Sequence, residues 1–232
     1  VNLNVYRQIA ENYLHIGAVA GLADDSERMP ADAAGFPKPA PAVGRLGQLQ
    51  RPYIVVNAES SEPIRALKSW TGAAWRETVQ GLRRAYPDHA VVVTGTEAGR
   101  DASAHLLDAF GTDPQVIDMV GRTGFEDLLA LIDGAALVVT VDSAPLHLSA
   151  WIGRPTVCLF GPETPVLYGY QFPWVRCLYK AVPCSPCLAL YDAKKSVLDC
   201  QDNICMKQIS ADEVLAAAAG MLAPSASLGS PG

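Results

Sequence analysis

Residues Leu137–Pro165 read LVVTVDSAPLHLSAWIGRPTVCLFGPETP, and the rhythm of apolar residues in this stretch decides the fold. Leu137–Val141 and Thr156–Phe160 are short, unbroken apolar runs rich in β-branched side chains, the pattern of strands buried on both faces. Between them, Ser143–Ile152 opens with a serine and a proline and stops at Gly153, which are helix start and stop signals. A helix between two strands is the crossover that parallel pairing requires. Asp142 and His147 stand out in this stretch, because burying a charge or an imidazole without a partner is costly. Each is therefore predicted to meet a hydrogen-bond partner or a ligand.

The same alternation extends upstream. PYIVVNA (52–58), HAVVVTG (89–95), PQVIDMVG (114–121), ALVVTVD (136–142) and PTVCLFG (155–161) read as strands. Helices are predicted at Trp70–Tyr86, Asp101–Phe110, Phe125–Asp133 and Ser143–Ile152, with a last one at Ala211–Leu222. The third of these is read with Phe125, Leu128, Leu129 and Ile132 facing inward. The fold class is α/β, a Rossmann-like parallel sheet with helices on both faces. In such sheets ligands bind outside the carboxyl ends of the strands. That edge would collect Asn57–Ser61, Gly95–Glu97, Gly121–Thr123, Asp142–His147 and Gly161–Thr164. Residues 1–22 carry one apolar helical face. Residues 24–50 form a Pro-, Ala- and Gly-rich connector, and residues 223–232 are expected to be a disordered tail.

The chain has 232 residues, half of them hydrophobic and 18% charged, which is a globular composition. Its net charge is −6 and it has no basic stripe, so a nucleic-acid partner is not expected. No apolar run is long enough to span a bilayer, because Asp142, Pro145, His147 and Arg154 interrupt the best candidate. No signal peptide is read, and a cytoplasmic location is expected. The chain begins at Val1, inside a helix-like pattern, and is expected to be a fragment lacking its upstream part, with a cleavage product as the alternative. Four of the six cysteines, Cys184, Cys187, Cys200 and Cys205, fall in one 22-residue segment spaced C-x2-C, then twelve residues, then C-x4-C. Two readings stand for them: a structural zinc site, or reduced thiols packing a loop.

Candidate chemistry lies at the strand ends. Ser143, Ala144 and Pro145 open a helix, and the free N–H groups of its first turn would make an anion site. His147, in the same turn, can donate to a phosphate. The plainer reading is a helix cap with a core histidine. Lys68 follows the loop containing Ser60 and Ser61 and could reach a phosphate as a point charge; a lone lysine there is more simply a solvated surface residue. Glu97 after the second strand can accept from ribose hydroxyls, or be an exposed turn acid. There is no G-x-G-x-x-G and no Walker sequence, which disfavours a dinucleotide site and a P-loop.

The ordered set Lys68-Ser69-Trp70, GRTGFEDLLALIDGAALVVTVDSAPLHLSAWIGRPTVCLFGPETP and CSPC…C…CMKQISADEV resembles glycosyltransferase family 9, the heptosyltransferases of lipopolysaccharide inner-core synthesis. The match covers about residues 51–222. It departs at Ala144, where the family usually has Gly; at Arg122, which stands for Lys; and at Glu163-Thr164-Pro165, which replaces Thr-Asp-Pro. The resemblance implies a GT-B architecture, of which residues 51–222 would be the C-terminal, nucleotide-sugar-binding domain. Residues 1–50 would be the tail of a missing N-terminal acceptor domain plus linker. It further implies an inverting transfer of heptose from ADP-heptose to a lipid A–Kdo-type acceptor, which would bind the absent domain together with the aspartate base. Lys68 would be the catalytic residue holding the leaving diphosphate. Ser60, Ser61, Glu97, Arg122, Thr123, Asp142, Ser143, Ala144 and His147 would bind substrate. Ser143 and Ala144 would hold phosphate with His147 beside them, Asp142 would orient the sugar or the loop, and Arg122-Thr123 would border the base. No metal and no cofactor are implied, and peripheral contact with the inner face of the inner membrane is. A non-catalytic nucleotide- or phosphate-binding module, and a glycosyltransferase using another nucleotide-sugar, are the alternatives. The absent glycine fingerprint argues against a sugar-nucleotide epimerase.

Overall fold

A computed structural model describes residues 49, 52–60, 65–188 and 200–222. The helix expected at 1–22, the connector at 24–50 apart from Leu49, the candidate residue Ser61 and the tail at 223–232 lie outside them. Six parallel strands form one sheet: β1 (Tyr53–Asn57), β2 (Ala90–Thr94), β3 (Val116–Asp118), β4 (Leu137–Val141), β5 (Thr156–Phe160) and β6 (Val175–Tyr179), in the order β3-β2-β1-β4-β5-β6. The helices are α1 (Arg65–Lys68), α2 (Gly72–Ala85), α3 (Arg100–Phe110), α4 (Phe125–Asp133), α5 (Ala144–Ile152), α6 (Pro165–Tyr168), α7 (Ile204–Lys207) and α8 (Ala211–Leu222).

The central strands are largely apolar because each face has its own core. Ile54, Val56, Val91, Val93, Leu137, Val139, Val157 and Leu159 meet Trp75, Val79 and Leu82 of α2, Leu106 of α3 and Val214 and Ala218 of α8. The alternate residues Tyr53, Val55, Val92 and Val138 meet Leu131 and Ile132 of α4 and Ile152 of α5. Period-two alternation of a strand thus feeds two cores at once. Thr71 accepts from the Ala74 N–H and so starts α2. Gly153, at φ 82°, takes the left-handed conformation that ends α5.

Strand order reverses between β1 and β4. Chain connections leave these two strands in opposite directions, which opens a crevice at their carboxyl ends. The fold therefore places the end of β1, the start of α5 and the loop after β2 around one space.

Phe125 does not face inward: it is 66% exposed, and Leu131 and Ile132 supply the buried face of α4. It sits at the first residue of the helix, above the carboxyl edge, where no sheet surface remains to cover it. β6 was not anticipated because Arg176 and Cys177 break its apolar run and its burial is partial, as befits an edge strand. The four-residue helices α1, α6 and α7 are too short to show a period.

Ile54 lies on a central strand and is fully buried. Ile54→Ala should cost about 2–5 kcal/mol, read as a lower urea midpoint with an unchanged slope.

Candidate functional site

The crevice holds a cavity of about 500 Å³. Its wall is built from the strand ends: Asn57, Glu59 and Ser60 after β1, Gly95, Thr96 and Glu97 after β2, Gly121–Phe125 apart from Arg122 between β3 and α4, Leu128 of α4, and Ser143, Ala144 and Pro145 where α5 begins. Phe125 and Leu128 of α4 give it an apolar lining. It also meets the first turn of α5, whose free N–H groups and dipole favour an anion. Ser143 stands at the N-cap without a side-chain capping bond, so the simple cap reading does not hold. Its Oγ instead meets Asn57 Oδ1 at 3.4 Å and Thr140 Oγ1 at 3.2 Å, which ties the ends of β1 and β4 together.

Two acids reach this wall. Glu59 accepts from the Thr96 N–H and from Thr96 Oγ1 at 2.7 Å, fixing the loop after β2 to β1. Gly99 leaves room for it: a Cβ there would stand 1.9 Å from Glu59 Oε1. Glu97 is exposed and takes the Arg100 guanidinium at 2.8 Å, whose hydrogen bonds lower the pKa of its carboxyl. Gly121, at φ 69°, turns the chain beneath it; a Cβ there would lie 2.3 Å from Glu97 Oε2.

Just behind the wall lies a buried charge cluster. Lys68 Nζ is 2.5 Å from Asp142 Oδ2 and 3.7 Å from Glu163 Oε1. Lys68 is 6% exposed, Asp142 5% and Glu163 1%. The expectation of a solvated surface lysine is thus overturned: α1 carries Lys68 under the β4 end, where a carboxylate meets it. Asp142 directly precedes the cavity residue Ser143, so Lys68 pairs with the residue next to the first turn of α5.

The Cys-rich segment supports this cluster. Cys187 and Leu188 donate their N–H groups to Pro162 O, and Ser185 Oγ donates to Gly161 O, bracing the loop that bears Glu163. Asn203 Nδ2 donates to the Ser69 carbonyl at 2.7 Å and to Ala66 and Leu67 O, holding the backbone on both sides of Lys68. Trp70 Nε1 donates to Ile209 O at 2.9 Å, and Trp70 packs edge-on against Trp75. All six cysteines are free thiols, and no group of three or more metal-ligating side chains converges among the described residues. Burial, reinforced by the neighbouring thiols, raises the Cys187 pKa and pushes Cys205 up to about 11.

Of the residues read from sequence, Ser60, Glu97, Thr123, Ser143 and Ala144 line the cavity. Lys68 and Asp142 pair behind it. His147 points its Nδ1 to the Tyr170 hydroxyl at 2.9 Å instead of lining the cavity. Arg122 is largely exposed and bonds Asp118 at 3.5 Å. Asn57, Glu59 and Glu163 lie in the ranges expected at the carboxyl edge but were given no role in binding, and Phe125 and Leu128, read as core, line the cavity instead.

Removing the cation from between two buried carboxylates is expensive. Lys68→Met should lower stability by about 3–5 kcal/mol by urea unfolding, and adding Asp142→Asn should recover part of it. Burial also holds His147 and His105 below the ordinary histidine pKa of 6.5; Lys68 adds to this for His147 while Asp142 opposes it, and Arg76 adds to it for His105 while Asp108 opposes it. As pH falls through 6.5 the unfolded chain takes up these protons before the folded one, so stability present above that pH is lost on acidification. Changing both histidines to Gln should therefore reduce the loss of stability between about pH 7 and pH 5, measured by urea midpoints.

No described helix is long and apolar enough to cross a membrane. The sequence pattern of glycosyltransferase family 9 (heptosyltransferase) matches residues 5–197. Lipopolysaccharide heptosyltransferase 3 of Escherichia coli is 28% identical over 123 residues, covering 53% of this chain and 34% of that protein. Lipopolysaccharide heptosyltransferase 1 of Salmonella typhimurium is 31% identical over 107 residues, covering 44% and 31%. The aligned part is thus about a third of the length of these relatives. Among solved structures, ADP-heptose LPS heptosyltransferase II of E. coli superposes with a TM-score of 0.70 at 18% identity, over 96% of this chain and 64% of that one. The fold is accordingly that of the heptosyltransferase structures, and the chain belongs to glycosyltransferase family 9.

Proposed function

We propose that residues 51–222 form the nucleotide-sugar-binding half of an inverting glycosyltransferase that moves heptose from ADP-heptose to a lipopolysaccharide core acceptor. The observation that carries this reading is the cavity at the strand-order reversal, lined by Phe125, Leu128 and a helix N-terminus, with the buried Lys68–Asp142 pair adjoining Ser143. The names of the family relatives support the donor and acceptor classes. A lipid A–Kdo-type acceptor and the base that activates it would belong to the other half of the enzyme, at the inner face of the inner membrane.

In this reading the nucleobase lies against Phe125 and Leu128, with Thr123 at its edge. The ribose hydroxyls meet Glu97, whose depressed pKa keeps it an acceptor. The diphosphate meets the N–H groups of Ser143 and Ala144. Ala144 keeps that donor, although its methyl narrows the approach where the family has Gly. When the acceptor oxygen attacks the anomeric carbon, the bond from that carbon to the phosphate oxygen breaks and the diphosphate keeps the electron pair. Its added charge is met by the first turn of α5 and by Lys68, which exchanges Asp142 for the leaving group. Asp142 thereby becomes free to accept from the sugar.

Calorimetric titration of the chain with ADP, ADP-heptose, UDP and GDP tests this. Adenine nucleotides should bind best, and Phe125→Ala should weaken ADP by about ten-fold through lost base stacking. Preference for another base would change the donor and keep the family. Absence of binding by every nucleotide would refute the reading.

A further inference from the structure

Tyr170 is the residue whose placement the proposed reaction does not yet use. It lies just after α6, on a segment where alternate residues are aromatic. Tyr170 and Phe172 stack at 5.4 Å with their planes 19° apart, and Phe172 and Trp174 at 4.7 Å and 23°. Trp174 Nε1 donates to Ala150 O of α5 at 3.0 Å, which anchors the ladder to the helix that carries His147. At its upper end the Tyr170 ring meets His147 edge-on at 5.7 Å, and its hydroxyl lies 2.9 Å from His147 Nδ1. Such a ladder leaves Tyr170 little freedom to choose another partner.

We infer that Tyr170 is a positioning residue: its hydroxyl donates to His147 Nδ1 and so keeps the imidazole proton on Nε2, the ring nitrogen that Tyr170 does not engage. This rests on the nucleotide-sugar reading for what Nε2 meets, and on the geometry alone for which nitrogen carries the proton. Among the described residues His147 Nδ1 is the hydroxyl's one hydrogen-bond partner. A bare Nδ1 satisfies the hydroxyl proton within the protein, whereas an Nδ1–H would turn that proton out to water. The protonation states agree with this direction. Burial, with help from Asp142, pushes the phenol up to about 12, so it remains a donor. Burial lowers the imidazole, with Lys68 adding to it and Asp142 opposing it, so one ring nitrogen stays an acceptor. Both Asp142 and Lys68 act on this ring, so its remaining N–H belongs to the same charged neighbourhood that would hold the diphosphate.

Tyr170→Phe tests the assignment, since it keeps the ring, its stacking and its packing while deleting the donor. The imidazole nitrogen shifts of the histidine-labelled chain are the first readout. The parent should show Nε2 protonated and Nδ1 bare. Tyr170→Phe should show a mixture of tautomers at an unchanged fold. A protonated Nδ1 in the parent, or an identical tautomer in the variant, would overturn the inference. ADP titration is the second readout. The parent's Nε2 signal should shift on saturation, and Tyr170→Phe should bind ADP about five-fold more weakly, an effect absent in a His147→Ala background. If calorimetry shows ADP bound while Nε2 stays put, the positioning role toward the donor is overturned and the nucleotide reading survives. If the parent binds no ADP, the nucleotide reading fails, and the nitrogen shifts alone decide for or against the hydrogen bond.

Discussion

The site is organised by a cation buried between two carboxylates at the carboxyl ends of neighbouring strands. Lys68 cannot reach Asp142 unless α1 is docked, and Asp142 cannot be tolerated at the end of β4 unless Lys68 arrives. Charges this deeply buried are paid for only with good geometry, and the surroundings supply it. Asn203 ties the carbonyls on either side of Lys68, Pro162 O receives two N–H groups from the Cys-rich segment, and Trp70 is pinned to Ile209. The Cys-rich segment therefore serves the site as a brace, joining the loop that bears Glu163 to the short helix that bears Lys68.

This explains how much was legible in the sequence. β1, β2, β4 and β5 were readable because strands buried on both faces leave unbroken apolar runs, and α2 and α8 because each packs one face on the sheet. The cavity's position followed from topology, and with it Ser60, Glu97, Thr123, Ser143 and Ala144. The burial of Lys68 was not readable: its partner is 74 residues away, and a lone lysine in sequence looks like any surface lysine. His147 was rightly picked as needing a partner, but that partner is Tyr170, on a segment with no period to place it. Phe125 was assigned to the core because helical spacing cannot tell a residue over the sheet from one that overhangs its end.

The apolar residue overhanging the edge and the polar turn facing it give the cavity two chemically distinct ends. A ligand with one flat aromatic group and one anionic group fits such a space, with the aromatic group toward Phe125 and the anion toward Ala144. Glu59 is spent on Thr96 and shapes the loop, while Glu97 is held by Arg100. On the proposed reading Phe125, Glu97 and Ala144 would meet base, sugar and phosphate in turn, the order of groups in a nucleoside diphosphate.

The wall itself carries two glutamates and, among the described residues, no cationic side chain. A diphosphate at rest would meet backbone N–H groups while Lys68 remains engaged with Asp142. On the proposed reading, ground-state binding would then be modest. As the bond to the sugar broke and negative charge gathered on the leaving group, the attraction on Lys68 would grow while that of Asp142 stayed constant. The lysine would then contribute more in the transition state than in the bound complex, and only an interaction that strengthens along the reaction accelerates it. Pairing Lys68 with an internal carboxylate would cost affinity and gain rate, which would give the buried ion pair a chemical reason as well as a structural one.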